Sequence, residues 1–188
     1  MGYNTLETHG AVHQWGDWAA SGLLALTVGA TQVAASKVRH CTSEGRPDGY
    51  GRPLVRCPDV ARDLVDQGLA MVFAVKETPD PDLVARQAAA QAKRRGLWQR
   101  GVPETIVTSV HSAGDNAIAE NAGNKRNGNR TTAYNRIVNT RTGETMQVRH
   151  EQILQTCQVV CHGTGTDRSC MTYVPFGRQR RNQPDCLH

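Results

Sequence analysis

Asp48-Gly-Tyr-Gly-Arg-Pro-Leu-Val-Arg-Cys57 runs straight into Pro58-Asp-Val-Ala-Arg-Asp-Leu-Val-Asp-Gln-Gly-Leu-Ala-Met-Val-Phe73, and the order of elements in this stretch decides the fold. It reads as a tight turn, a strand, a short helix and a second strand. Gly49 and Gly51 flank Tyr50, so the turn can reach positive φ without a Cβ clash. Arg52 leaves the turn at the mouth of the next strand, where its planar fork of donors can meet a phosphate. The alternative is a surface arginine paired with Asp48. Leu54 and Val55 carry the strand and Cys57 ends it. Asp59 can cap a helix with Val60, Ala61, Leu64 and Val65 on one side, and Gly68 closes it. Leu69 to Val75 is apolar and strand-like.

Working outward, residues 1–14 look irregular and Trp15 to Val28 reads as an amphipathic helix ended by Gly29. Gln32 to Cys41 reads as a strand. With Pro53 to Cys57 it makes a hairpin whose outer ends carry Cys41 and Cys57, within disulfide reach of each other. Asp80-Pro81 starts a helix that runs to Arg95 and stops at Gly96, with Lys93, Arg94 and Arg95 suiting the helix dipole. Trp98 packs back onto the body. Thr105 to Ser112 is strand-like, and Asp115 to Thr132, rich in Asn, Gly, Lys and Arg, reads as a long loop. Tyr134 to Thr140 and Glu144 to His150 form a hairpin around Thr142-Gly143. Glu151 to Gln158 reads as a short helix, and the rest is loop-rich.

The order D-x-Y-G-R, strand, helix, G-L-A-x-V resembles the staphylococcal-nuclease-like (thermonuclease) family. Ala90-Gln-Ala-Lys-Arg-Arg-Gly-Leu-Trp98 is similar to that family's final helix, and Asn4-Thr-Leu-Glu7 to a departed copy of its D-x-P-E turn. The three motifs span residues 4–99 in the family's order. The resemblance implies an α+β fold, an incomplete OB-fold-like β-barrel with three helices, N-terminally truncated, over residues 1–100. A basic, loop-rich, cysteine-containing extension would occupy 101–188. It also implies a Ca²⁺-dependent nuclease that hydrolyses DNA or RNA phosphodiesters. Arg52 would stabilise the charge that builds on the phosphorus oxygens, and Glu7 would act as base or orient the attacking water. Asn4 stands where the family has a metal-binding aspartate, and the Thr5 carbonyl would be another Ca²⁺ ligand. An amide oxygen can ligate calcium but brings no charge. Tyr50 would contact a base or a phosphate.

Departures from the family pattern point to weak or absent activity. The family's first strand pair, with its D-G-D-T-type motif, and a second arginine have no counterpart ahead of Asn4; the strands after Thr105 are candidates to fill that gap. Ala74 and Lys76 stand where the family has base-contacting tyrosines. Two other readings remain open. One is a non-catalytic OB-like module that binds nucleic acid or protein, and the other is a structural, disulfide-held exported protein.

The chain has 188 residues and a net charge of +5, which suits a polyanionic partner. Residues 1–104 carry 12 Lys and Arg against 11 Asp and Glu, and residues 105–188 carry 10 against 6, so the excess sits in the second half. Six cysteines suit pairing in an exported, periplasmic or extracellular setting. Met1 to Trp18 lacks the charge-then-apolar pattern of a signal peptide, and Ala19 to Ala35 is too polar for a membrane span. Cys157, Cys161, Cys170 and Cys186, near His162 and His188, admit two disulfides or a zinc site. Their C-x3-C and C-x15-C spacing matches no standard zinc pattern and favours disulfides. No nucleophile motif, phosphate loop or small-molecule cofactor motif is visible.

Overall fold

Two glycines that end helices meet face to face. The computed structural model describes residues 2–7, 10–47, 51, 53–115, 133–175 and 184–187. Helix α2, Pro58–Asp66, opens with proline at its first turn, where the missing N–H costs nothing, and buries Val60, Ala61, Leu64 and Val65 along one face. Gly68, at φ 66°, ends it, with Leu69 N–H donating back to the Leu64 carbonyl at 2.8 Å. Helix α3, Pro81–Ala92, is capped by Asp80, whose carboxylate accepts the Asp82 N–H at 2.9 Å. A 3-10 turn, Gly96–Trp98, follows it. Leu97 N–H donates to the Gly68 carbonyl at 2.8 Å. A Cβ on Gly68 would run into the Arg95 carbonyl, and one on Gly96 into the Gly68 carbonyl. Both positions therefore need glycine for contact as well as for φ.

Helix α1 is Ala20–Ala35, with Leu23, Thr27 and Ala30 buried. This corrects two expectations. The helix begins later than Trp15, and the strand expected over Gln32 to Cys41 is absent, its first four residues lying in the helix and the hairpin partner of Pro53–Arg56 being Thr42–Pro47. Thr27 and Thr31 keep their hydroxyls inside the helix by donating to the Leu23 and Thr27 carbonyls at 3.0 and 3.3 Å. Gly29 sits within the helix with open space beside it. Trp15 instead lies in a strand and is 2% exposed.

The strands are β1 Tyr3–Asn4, β2 His13–Trp15, β3 Thr42–Pro47, β4 Pro53–Arg56, β5 Met71–Val72, β6 Thr105–Val110, β7 Ala133–Asn139, β8 Thr145–His150, β9 Val159–His162 and β10 Ser169–Thr172. All pair antiparallel within four sheets, β1–β5, β2–β10–β9, β3–β4 and β6–β7–β8. The protein is α+β, and among the described residues the sheets do not close into a barrel. Three further expectations change. Residues 1–14 contain two short strands. The expected helix over Glu151 to Gln158 is extended chain and turn, because Cys157 takes a left-handed φ of 68° and is tied to Cys186. The tail supplies two strands, one of which pairs with β2. The loop expected over Asp115 to Thr132 lies outside the described residues from 116 onward.

The largest core cluster draws Leu6, Trp15, Leu23, Met71, Leu97 and Trp98 from the first hundred residues and Ile106 and Val138 from β6 and β7. One buried amide joins the two parts. Gln87, 1% exposed on α3, accepts the Val72 N–H at 2.8 Å and donates to the Thr140 carbonyl at 2.6 Å. Gln91 donates to the same carbonyl at 2.8 Å, and the Thr140 hydroxyl reaches the Pro103 carbonyl at 2.5 Å. Beside this clamp, Ala74 N–H donates to the Gly143 carbonyl at 2.9 Å and Ala74 forms a parallel bridge with Glu144. The β6–β7–β8 sheet thus docks on the strand edge after β5, and among the described residues it shares no sheet with the β3–β4 hairpin and completes no barrel.

Replacing Gln87 with leucine should leave the Val72 N–H buried without a partner, while Thr140 keeps Gln91. A loss of about 1–3 kcal/mol is expected for such an orphaned group. Urea unfolding of the Gln87→Leu chain measures it, and an unchanged midpoint would show that the amide is not the joint.

Candidate nucleic-acid interface

The β3–β4 hairpin carries the sequence motif. Thr42 faces Arg56, Ser43 faces Val55 and Pro47 faces Pro53, with an irregularity between Ser43 and Pro47. Gly51, at φ 79°, stands just before the second strand. Arg52 and Tyr50 themselves lie outside the described residues. Within the hairpin no described residue is buried, so burial does little to hold it.

Covalent and ionic ties hold the hairpin instead. Cys41 and Cys57 form the disulfide expected at its base, with Cα atoms 4.3 Å apart. Arg56 pairs with Glu77 at 3.9 Å. Arg39, leading into the first strand, is largely buried and donates to Asp63 on α2 at 2.6 Å and to the Val33 carbonyl at 2.9 Å. The hairpin is thereby anchored to the last turn of α1 and to the middle of α2. The Arg39 hydrogen bond first, then that of Lys37, holds the Asp63 carboxyl below the usual carboxylate range.

Asn4 lies in β1 opposite Met71, and Thr5 follows it. Leu6, 3% exposed, roots this segment in the core. Glu7 is half-buried, and its backbone N–H donates to Nε2 of His13 at 3.3 Å. The segment that carries Asn4, Thr5 and Glu7 is therefore fixed by a strand pair, a core side chain and a histidine. Cys157 pairs with Cys186 and Cys161 with Cys170, so all six cysteines are in disulfides.

A model of the family described as staphylococcal nuclease homologue matches residues 1–100. The chain belongs to that family. No curated protein and no solved structure matches it. Membership carries a nuclease-type or nucleic-acid-binding role, and the family in general depends on Ca²⁺. The described residues do not fit that ion. The segment expected to hold it offers the neutral amide of Asn4 and the carbonyl of Thr5, with Glu7 as its one carboxylate, and among the described residues no group of three or more His, Cys, Asp or Glu converges to hold a metal. Calcium takes six to eight oxygens, several of them charged.

Sequence reasoning missed two features. A cleft of about 770 Å³ opens at the seam between the family-matched residues and the rest, with Glu77, Glu104, Glu144 and Asp167 among its lining beside Lys76 and His162. Its residues come from separate segments, so no local pattern signals it, and its acidic wall is a poor host for a polyanion. The second is a face of the β6–β7–β8 sheet that carries Arg136 on β7 and Arg149 on β8. Tyr134 and Arg136 at period-two spacing are its only local signal.

Acid should loosen the hairpin's anchor. Asp63 titrates lower in the folded chain than in the unfolded one, so its contribution is fully present above roughly pH 4–5 and is lost as pH falls through the folded value. Stability measured from pH 6 to pH 2 should fall less steeply in Asp63→Asn than in the parent chain. Equal slopes would remove Asp63 as a contributor.

Proposed function

We propose that the chain is a nucleic-acid-binding member of its family whose Ca²⁺-dependent hydrolysis of DNA or RNA is weak or absent. The observation that carries this reading is the family match over residues 1–100 combined with the neutral amide of Asn4 at the metal turn. The scaffold is an opened OB-type barrel, in which β1–β5 and the hairpin are the parts retained.

In this reading Arg52 holds a backbone phosphate. A guanidinium offers two parallel donors to two phosphate oxygens, and Gly51 lets the chain turn tightly beside it. Tyr50, two residues earlier, contacts a base or a phosphate. Glu7 is the residue that would orient water if hydrolysis survives. The bond from its backbone to His13 favours that second reading enough to test it, because it fixes the turn that carries the carboxylate. Three disulfides accord with an oxidising, exported setting. Among the described residues no helix is long and apolar enough to cross a membrane.

Two assays on the full chain test this. A labelled single-stranded oligonucleotide should bind with an affinity that falls as salt rises, and Arg52→Ala should weaken binding about tenfold, the loss expected for a charge-assisted bidentate contact of roughly 1.4 kcal/mol. Incubation of DNA or RNA with Ca²⁺ should leave the substrate intact. Degradation that Arg52→Ala or Glu7→Gln abolishes would prove the chain an active nuclease and the proposal wrong on turnover.

A further inference from the structure

We propose that the face of the β6–β7–β8 sheet bearing Ser109, His111, Tyr134, Arg136, Gln147 and Arg149 binds backbone phosphates of a nucleic-acid strand, as a contact surface separate from Arg52. The register builds this face. Ser109 pairs with Arg136, Arg136 with Gln147, and Tyr134 with Arg149, and directly opposed residues in antiparallel strands point to the same side. The same side of β7, two residues on, carries Val138 into the core. The sheet thus runs from a buried end to a polar, half-exposed end on one face.

At that end the arginine is preset. Nη2 of Arg136 donates to the Tyr134 hydroxyl at 3.2 Å, and its guanidinium lies 5.4 Å from the Tyr134 ring centre. Nε of Arg136 is buried without a partner. His111 packs on the same tyrosine with ring centres 4.5 Å apart, and its Nε2 shares a hydrogen bond of 2.9 Å with Ser109. Arg149 and Gln147 stand exposed on β8.

What is absent matters as much. Among the described residues, Arg39, Arg56, Arg62, Arg86 and Arg100 each pair with a carboxylate. Neither Arg136 nor Arg149 does. The nearby carboxylate, Asp115, is engaged elsewhere, accepting the Tyr173 hydroxyl and the Ser112 N–H. Burial, opposed by Asp115 and aided by the charges of Arg136 and His150, lowers the pKa of His111. The face therefore carries two arginines, Arg136 held in place and Arg149 exposed, with no carboxylate partner among the described residues.

A guanidinium held by stacking, with an unspent donor and no carboxylate partner among the described residues, is a site for an oxyanion. Two arginines on adjacent strands can serve successive phosphates, with Gln147 as a neutral donor between them. The choice of a nucleic-acid strand as the source of phosphate rests on the function proposed above, and the experiment separates the two.

The test measures binding of a single-stranded oligonucleotide to the full chain by fluorescence anisotropy across a salt series. Arg149→Gln, at an exposed position, and Arg136→Lys, which keeps charge but loses the fork, should each weaken binding about three- to tenfold. Each lost phosphate contact should reduce the salt slope by about 0.7. Arg141→Gln, which removes an exposed cation from the opposite end of the β7–β8 hairpin, should leave binding unchanged. Equal weakening by Arg141→Gln would reduce the effect to net charge and overturn the site. So would full affinity in both Arg149→Gln and Arg136→Lys, whether or not Arg52→Ala weakens binding. Loss of binding in these two variants with none in Arg52→Ala would uphold this face and remove the hairpin contact. In a second arm, inorganic phosphate is titrated while the His111 ring resonances are followed. A shift there without oligonucleotide binding would overturn the strand as ligand and leave a small-anion site.

Discussion

A buried carboxamide on α3 is, among the described residues, the most enclosed polar tie between the two halves of the molecule. Gln87 occupies the position on α3 where an apolar residue would otherwise continue the buried face between Leu83 and Ala90. A glutamine is tolerated there because both of its polar atoms are used, one by the Val72 N–H and the other by the Thr140 carbonyl. Neither of those backbone groups has a strand partner at that point. β5 is two residues long and Thr140 lies just past β7. The side chain supplies what a sheet would have supplied, and Ile106 and Val138 pack into the same core cluster as Trp98 beside it.

The charges are distributed in keeping with this joint. In the family-matched half the cations are largely spent internally, with Arg39 on Asp63, Arg62 on Asp82, and Arg86 on Asp66 and Asp82. These pairs tie α1, α2 and α3 to one another and to the root of the hairpin. Exposed pairs of this kind contribute little each to stability, but they remove positive field from that surface. On the β6–β7–β8 sheet, by contrast, Arg136 and Arg149 have no carboxylate partner among the described residues. The seam cleft is acidic, and a polyanion would be steered past it.

Much of the first hundred residues was legible. α2 and α3 were readable because proline starts each and glycine lies just beyond each, and those residues act through their own backbone geometry. The Cys41–Cys57 bridge was readable because a short hairpin brings its two ends together. The β7–β8 hairpin announced itself through Thr142-Gly143. The failures have local causes too. Gly29 was expected to end the first helix, yet the helix runs on to Ala35, with the Thr27 and Thr31 hydroxyls bonded back into it. Cys157 interrupted an expected helix because a disulfide partner 29 residues away holds it in a left-handed conformation.

By itself the sequence determined the family and the α+β class, since these depend on short-range patterns of turn residues, caps and apolar spacing. The tertiary structure alone decided that strands from the tail pair with β2, that two helix-ending glycines interlock, and that Tyr134, Arg136 and His111 share a surface. Each of those contacts joins segments separated by tens of residues. No local propensity encodes them, because their free energy exists only once the chain has closed on itself.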